Sequence, residues 1–143
     1  CRRMTALNLH YDIDGDNFTA AGEASGNIKK ILRKMGFPGE IVRRVAIAMY
    51  EGEINTVIHG GGGVADVEIS GDQIKMVLSD EGPGIPDVEK AMQLGWSTAP
   101  DSVRALGFGA GMGLPNMKKY TDEMKIDTEV GKGTTITMIV KLK

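Results

Sequence analysis

Two pairs of alternating segments, each joined by a link too short to hold a crossover, constrain this chain more than any other feature. Val64 to Ser70 and Gln73 to Asp80 both alternate apolar with polar residues, and only Gly71-Asp72 separates them. Glu123 to Glu129 and Thr134 to Lys141 repeat the pattern around Val130-Gly131-Lys132-Gly133. Period-two runs are half-buried strands, and a short glycine-containing link is hairpin chemistry, because glycine enters the backbone region such turns need. Parallel neighbours require a dozen or more connecting residues. The sheet is therefore expected to be largely antiparallel. A further run, Ala6 to Ile13, alternates through Leu7, Leu9, Tyr11 and Ile13 and ends in the turn Asp14-Gly15-Asp16, which supplies an opening strand.

Helical patterns fill the spaces between. Ile28, Ile31, Leu32 and Met35 form an apolar stripe over Asn27 to Met35, with Ser25 placed to cap that helix and Gly36 to end it. A second helix is predicted from Gly39 to His59, apolar on most sides and so buried beneath the sheet, until Gly60 to Gly63 stop it. From Glu81 to Gly113 the chain is rich in Gly, Pro, Ser and Thr, with one short helical candidate at Val88 to Leu94. Loops of this length are uncommon in a small domain unless they serve as lids or binding loops. Leu114 to Tyr120 reads as a helix, since Pro115 falls in its first turn. The order β, α, α, β, β, lid, α, β, β predicts an α/β (α+β) two-layer sandwich, a mixed, mostly antiparallel sheet with helices on one face. At 143 residues the chain is expected to form one domain over 1–143.

Charge and cysteine usage narrow the function. Seventeen basic and nineteen acidic residues leave a net charge of −2, and the basic residues are dispersed, so nucleic acid is a poor partner. The single cysteine, Cys1, allows neither a disulfide nor a cysteine metal site within one chain, which favours a cytoplasmic setting. No apolar run approaches the roughly 18 residues that span a bilayer, so no membrane is expected.

Three constellations could carry chemistry. Glu51 and Asn55 lie four residues apart on the second helix and so share a face. The amide oxygen suits Mg²⁺ alongside phosphate oxygens, which leaves the carboxylate free as a base, although such pairs are also ordinary solvated surface. Glu53 competes with Glu51, but about 200° of helix rotation separates them and at most one can face a site. Asp80-Glu81-Gly82-Pro83-Gly84 places a carboxylate at a strand end, followed by bare backbone. A flat base with an exocyclic amine could dock there, or the segment could be a plain turn. Gly107-Phe108-Gly109-Ala110-Gly111-Met112-Gly113 leads into the helix near Leu114, where free amides could cradle phosphates. No strand leads into that run and no Walker lysine is present, which argues against Rossmann and P-loop readings. His10 and His59 have no partner at metal spacing and read as structural, and the nine methionines read as core filler.

Taken in order, Glu51-x-x-x-Asn55, Asp80-x-Gly82-x-Gly84, the Gly107 to Gly113 run and Gly131-Lys132-Gly133-Thr134 resemble the boxes of the histidine-kinase-like (GHKL, Bergerat-fold) ATPases. The likeness is greatest to anti-sigma-factor serine/threonine kinases and related switch kinases, notably over Ser97 to Asp101 and Gly111-Met112-Gly113-Leu114. It implies ATP and Mg²⁺ as ligands, Glu51 as general base, Asn55 on Mg²⁺, Asp80 on the adenine amine, Gly84 beside the ring, Gly82 among the nucleotide-binding residues, and Thr134 near Asp80. Gly107, Gly109, Gly111, Met112 and Gly113, in a lid at about 95–113, and Leu114 just after it would bind the nucleotide, with Gly109, Gly111 and Gly113 at its phosphates. The implied partners are a sigma factor, a small antagonist protein, or both, and a homodimer is left open. Anti-sigma kinases commonly carry an arginine where Gly109-Ala110 stand here. That departure leaves open an ATP/ADP-gated partner switch without significant kinase activity; the detached catalytic domain of a histidine kinase is a separate alternative.

Overall fold

The computed structural model describes residues 7–15, 22–58, 60–82, 84 and 113–142. Among these residues five strands form one sheet: β1 (Leu7–Asp14), β2 (Gly62–Ile69), β3 (Gln73–Asp80), β4 (Glu123–Glu129) and β5 (Gly133–Lys141). Their spatial order is β1-β2-β3-β5-β4, and every pairing is antiparallel. The β2–β3 link is the expected tight hairpin, closed by Ser70 N–H donating to the Gln73 carbonyl at 3.0 Å. The second hairpin, β4–β5, inserts so that β5 lies against β3, which places Asp80 opposite Thr134.

Among the described residues, three helices cover one face: α1 (Glu23–Lys34), α2 (Gly39–Ile58) and α3 (Gly113–Lys119). Helix α2 packs between α1 and α3 and crosses β1, β2, β3 and β5. The inner sheet face, with Ala65, Val67, Ile69, Ile74, Met76, Leu78, Ile136, Met138 and Val140, closes on Ile28, Leu32, Val45, Ala48, Met49 and Met117 from the helices. Four methionines, Met49, Met76, Met117 and Met138, are fully buried, as filler for an irregular interface should be. Gly52 lets α2 approach the sheet closely, since a Cβ there would stand 3.0 Å from Leu78 Cδ2 and 3.4 Å from Met138 Cε. Among the described residues no helix is long and apolar enough to cross a membrane.

Several boundaries differ from the sequence expectation. Helix α1 begins at Glu23, not Asn27, and Ser25 lies inside it rather than capping it. The residue before the helix is Gly22, at φ 104, which offers no side chain. The helix can start early because its free amides find an acceptor elsewhere, on Glu53 of α2. Strand β2 begins at Gly62, within the glycine run expected only to stop α2, after a reversal through Gly61 (φ 72) and Gly62 (φ 104). The helical candidate at Val88 to Leu94 lies outside the described residues, as do Cys1 and His59.

Candidate functional site

The two flanks of α2 divide the competing carboxylates. Glu53 turns toward α1, where it is 3% exposed and accepts hydrogen bonds from three main-chain amides. Glu51, on the other flank, is partly buried and accepts a hydrogen bond on Oε2 from Asn116 Nδ2 of α3 at 3.2 Å. The 200° separation read from the sequence is therefore real, and Glu51 is the one left without a helix-capping duty. Asn55, also partly buried, follows Glu51 by one turn on the same flank. Sequence reasoning misses Asn116. Its only local signal is its position, one turn into the helix that follows the glycine run.

Asp80 ends β3, partly buried, with Gly63 of β2 on one side and Thr134 of β5 on the other. Its Oδ1 accepts the Gly82 amide at 2.9 Å, which closes an Asx turn as the plain turn reading requires. Its Oδ2 faces Gly60 at the end of α2. Gly84, at φ 81, has no room for a side chain, because a Cβ would lie 2.5 Å from the Glu129 carbonyl. Thr134 is 5% exposed and its Oγ1 lies 2.9 Å from Thr128 Oγ1, whose hydroxyl also donates to the Gly133 carbonyl at 3.2 Å. Leu114, at the start of α3, is buried in the core with Met117. Gly113 is the first residue of that helix. Gly107, Gly109, Gly111, Met112, Pro83 and the stretch Ser97 to Asp101 lie outside the described residues.

The described groups are thus ordered along one helix axis. At 1.5 Å per residue, Ile58, the last residue of α2, stands about 4.5 Å along the helix from Asn55 and about 10.5 Å from Glu51, and Gly60, set against Asp80, follows it. A carboxylate, a side-chain amide and a second carboxylate follow in sequence. Among the described residues no cluster of three or more His, Cys, Asp or Glu could hold a metal ion by itself. A cation here would take few protein oxygens and complete its shell from ligand and water, which suits Mg²⁺. His10 sits apart, on the open sheet face. Its ring bonds Asp66 at 2.6 Å and Asp12 at 3.3 Å, and those contacts, Asp66 first, raise its pKa above the ordinary value.

Comparison with known proteins adds an independent finding. The family model for the histidine kinase-like ATPase domain matches residues 17–140. The chain is 31% identical over 119 residues to the serine/threonine-protein kinase RsbT of Bacillus subtilis (strain 168), covering 80% of this chain and 84% of that protein. It is 36% identical over 104 residues to the anti-sigma F factor of Thermoanaerobacter sp. (strain X514), covering 69% of each. Among solved structures, the RsbU and RsbW domains of Rv1364c from Mycobacterium tuberculosis superpose with a TM-score of 0.64 at 19% identity, over 94% of this chain and 32% of that one. The mycobacterial sensor histidine kinase MprB superposes with a TM-score of 0.54 at 18% identity, over 94% of this chain and 97% of that one. At such identities the two structures speak to the fold, which they share with this chain.

Proposed function

The chain belongs to the histidine kinase-like ATPase family, and on that premise we propose that it is an ATP-binding anti-sigma factor that phosphorylates a serine or threonine of a small antagonist protein. The observation that carries this reading is the axial order along α2, in which Asp80, Asn55 and Glu51 follow one another as adenine, the bridging phosphates and the γ-phosphate follow along ATP. Asp80 accepts the exocyclic amine of adenine, with Gly82 and Gly84 offering backbone to the ring. Thr134 lies beside Asp80 in the sheet register and supports the same end. Asn55 holds Mg²⁺ through its amide oxygen, and the ion neutralises phosphate charge when bound. Gly107, Gly109, Gly111, Met112, Gly113 and Leu114 belong to the phosphate end by resemblance to the family.

Glu51 acts as general base. Its carboxylate takes the proton of the substrate hydroxyl as the hydroxyl oxygen bonds to the γ-phosphorus, while the bond from that phosphorus to the bridging oxygen breaks and ADP leaves. Asn116 holds Oε2 of Glu51.

A thermal-shift series with Mg²⁺ plus ATP, ADP or GTP tests nucleotide binding. A ligand at about 100 times its Kd adds about 2.7 kcal/mol to the native state. ATP should raise the midpoint of the wild type, and Asp80→Asn should lose most of that rise. No ATP-dependent rise in the wild type overturns the reading. Labelled ATP with candidate antagonist proteins then tests transfer. Binding without transfer, together with partner affinity that changes between ATP and ADP, selects the nucleotide-gated switch left open by Gly109-Ala110.

A further inference from the structure

Gly60 is the last residue whose amide still bonds into α2, donating to the Thr56 carbonyl at 3.2 Å. A Cβ at this position would lie 2.5 Å from Asp80 Cγ, 2.6 Å from Asp80 Cβ and 2.7 Å from Asp80 Oδ2. Carbon atoms do not sit so close, so a single methyl group would have to displace the carboxylate. The carboxylate is not free to swing away, because Oδ1 is tied to the Gly82 amide at 2.9 Å. Gly82 is packed against the same spot, since a Cβ there would stand 2.8 Å from Gly60 Cα. The backbone of Asp80 is enclosed in the same manner. A Cβ on Gly63 would lie 3.1 Å from Asp80 Cα, and one on Gly133 would lie 2.1 Å from the Asp80 carbonyl oxygen. Gly60 is not among the glycines with positive φ, so its requirement for glycine is one of space and not of backbone conformation.

We propose that Gly60 is a positioning residue that sets nucleobase selectivity through Asp80. Without a side chain, the end of α2 seats directly on the carboxylate and holds Oδ2 where it accepts from a 6-amino purine. The inference rests on the reading of Asp80 as the adenine acceptor. A carboxylate offers acceptors alone, so it favours an amine at that position and opposes a carbonyl oxygen. Sites built to pair one such group reject the analogue that lacks it, because the buried acceptor is left unpaired. Displacing the carboxylate by a methyl group should remove that preference while leaving the phosphate end of the site as it was.

The experiment is calorimetric titration of ATP and inosine triphosphate in excess Mg²⁺ against the wild type, Gly60→Ala, Asp80→Asn and Gly26→Ala. A Cβ on Gly26 of α1 would meet nothing within 4 Å, and Gly26 has no positive φ, so this variant reports the effect of an added methyl group without contact. In Gly60→Ala the ratio of ATP to inosine triphosphate affinity should fall roughly ten- to a hundredfold, the size of one hydrogen bond to a charged group, chiefly through weaker ATP binding. Gly26→Ala should keep the wild-type ratio. If both nucleotides weaken equally in Gly60→Ala, glycine here serves packing alone and the proposal is overturned. If Asp80→Asn also leaves the ratio unchanged, the adenine reading of Asp80 fails with it; if Asp80→Asn collapses the ratio, Gly60 alone has been misread. Should Gly60→Ala fail to fold, adding Asp80→Gly removes the atoms the methyl would strike and should restore a cooperative transition. Persistent unfolding of that double variant places the clash elsewhere and overturns the proposal.

Discussion

Glu53 offers the sharpest test of how this fold separates its two neighbouring carboxylates. Its Oε2 accepts the amides of Gly22 at 3.1 Å and Ala24 at 3.2 Å, and its Oε1 accepts that of Ser25 at 2.9 Å. These are free donors at the start of α1, so the carboxylate replaces the cap that Gly22 cannot supply and sits at the positive end of the helix dipole. Glu53→Ala removes every one of these acceptors and leaves a void. An orphaned buried amide costs about 1–3 kcal/mol, loss of a cap about 0.5–2 kcal/mol and loss of the dipole term up to about 2 kcal/mol. The three figures overlap, because they describe the same amides and those near Gly22 can still reach water. The expected net loss is about 3–4 kcal/mol. Glu53→Gln keeps one acceptor oxygen but sets an amide group against donors, for a loss of about 2 kcal/mol. Urea unfolding followed by circular dichroism measures both. With a slope of about 1–3 kcal/mol per molar urea, the Ala variant should lose at least about 1 M in midpoint. A loss below about 1 kcal/mol for Glu53→Ala would falsify the account. It would mean that α1 is anchored by something other than this carboxylate, and that α2 does not sort Glu51 from Glu53 as described. Tyr11 gives a second readout. Burial and then the Glu53 charge raise its pKa, so Glu53→Gln should lower the pH at which Tyr11 ionises.

Two further outcomes are expected. Glu51→Gln should slow phosphoryl transfer to an antagonist protein about 10²- to 10⁴-fold while Mg-ATP affinity holds, as read by labelled-phosphate incorporation beside calorimetry. Transfer at the wild-type rate would remove Glu51 from the role of base. On the open sheet face, the Asp66 and Asp12 contacts raise the pKa of His10. A raised folded-state value means that the stabilisation is fully present below the unfolded value of about 6.5 and is lost as pH rises through the folded value. The urea midpoint of the wild type should therefore exceed that of His10→Gln by more near pH 5.5 than near pH 9, at about 0.1 M salt. A difference that is flat or grows with pH contradicts the assignment.

Most of the architecture is legible in the sequence because its signals are local. Alternation over Gln73 to Asp80, a Gly-Asp link and an apolar stripe through Ile28 and Leu32 each need only their neighbours to be read. What escapes is whatever depends on a distant partner. Ser25 resembles a cap because serine caps by local chemistry, yet α1 starts two residues earlier, since its acceptor arrives from Glu53, 28 positions further along the chain. Spacing alone shows that Glu51 and Glu53 point apart, but only the α1 amides on one flank and Asn116 on the other decide which of them is left for chemistry. Gly60 reads as an ordinary helix stop, and the reason it must be glycine lies in Asp80, on another strand. Local propensity would rank Glu53→Gln and Gly60→Ala as mild changes, the one nearly isosteric and the other favourable to helix. Tertiary geometry gives each of them a cost. Roles in this site therefore follow from what occupies the space opposite each residue, and the two substitutions are where the two ways of reasoning part most clearly.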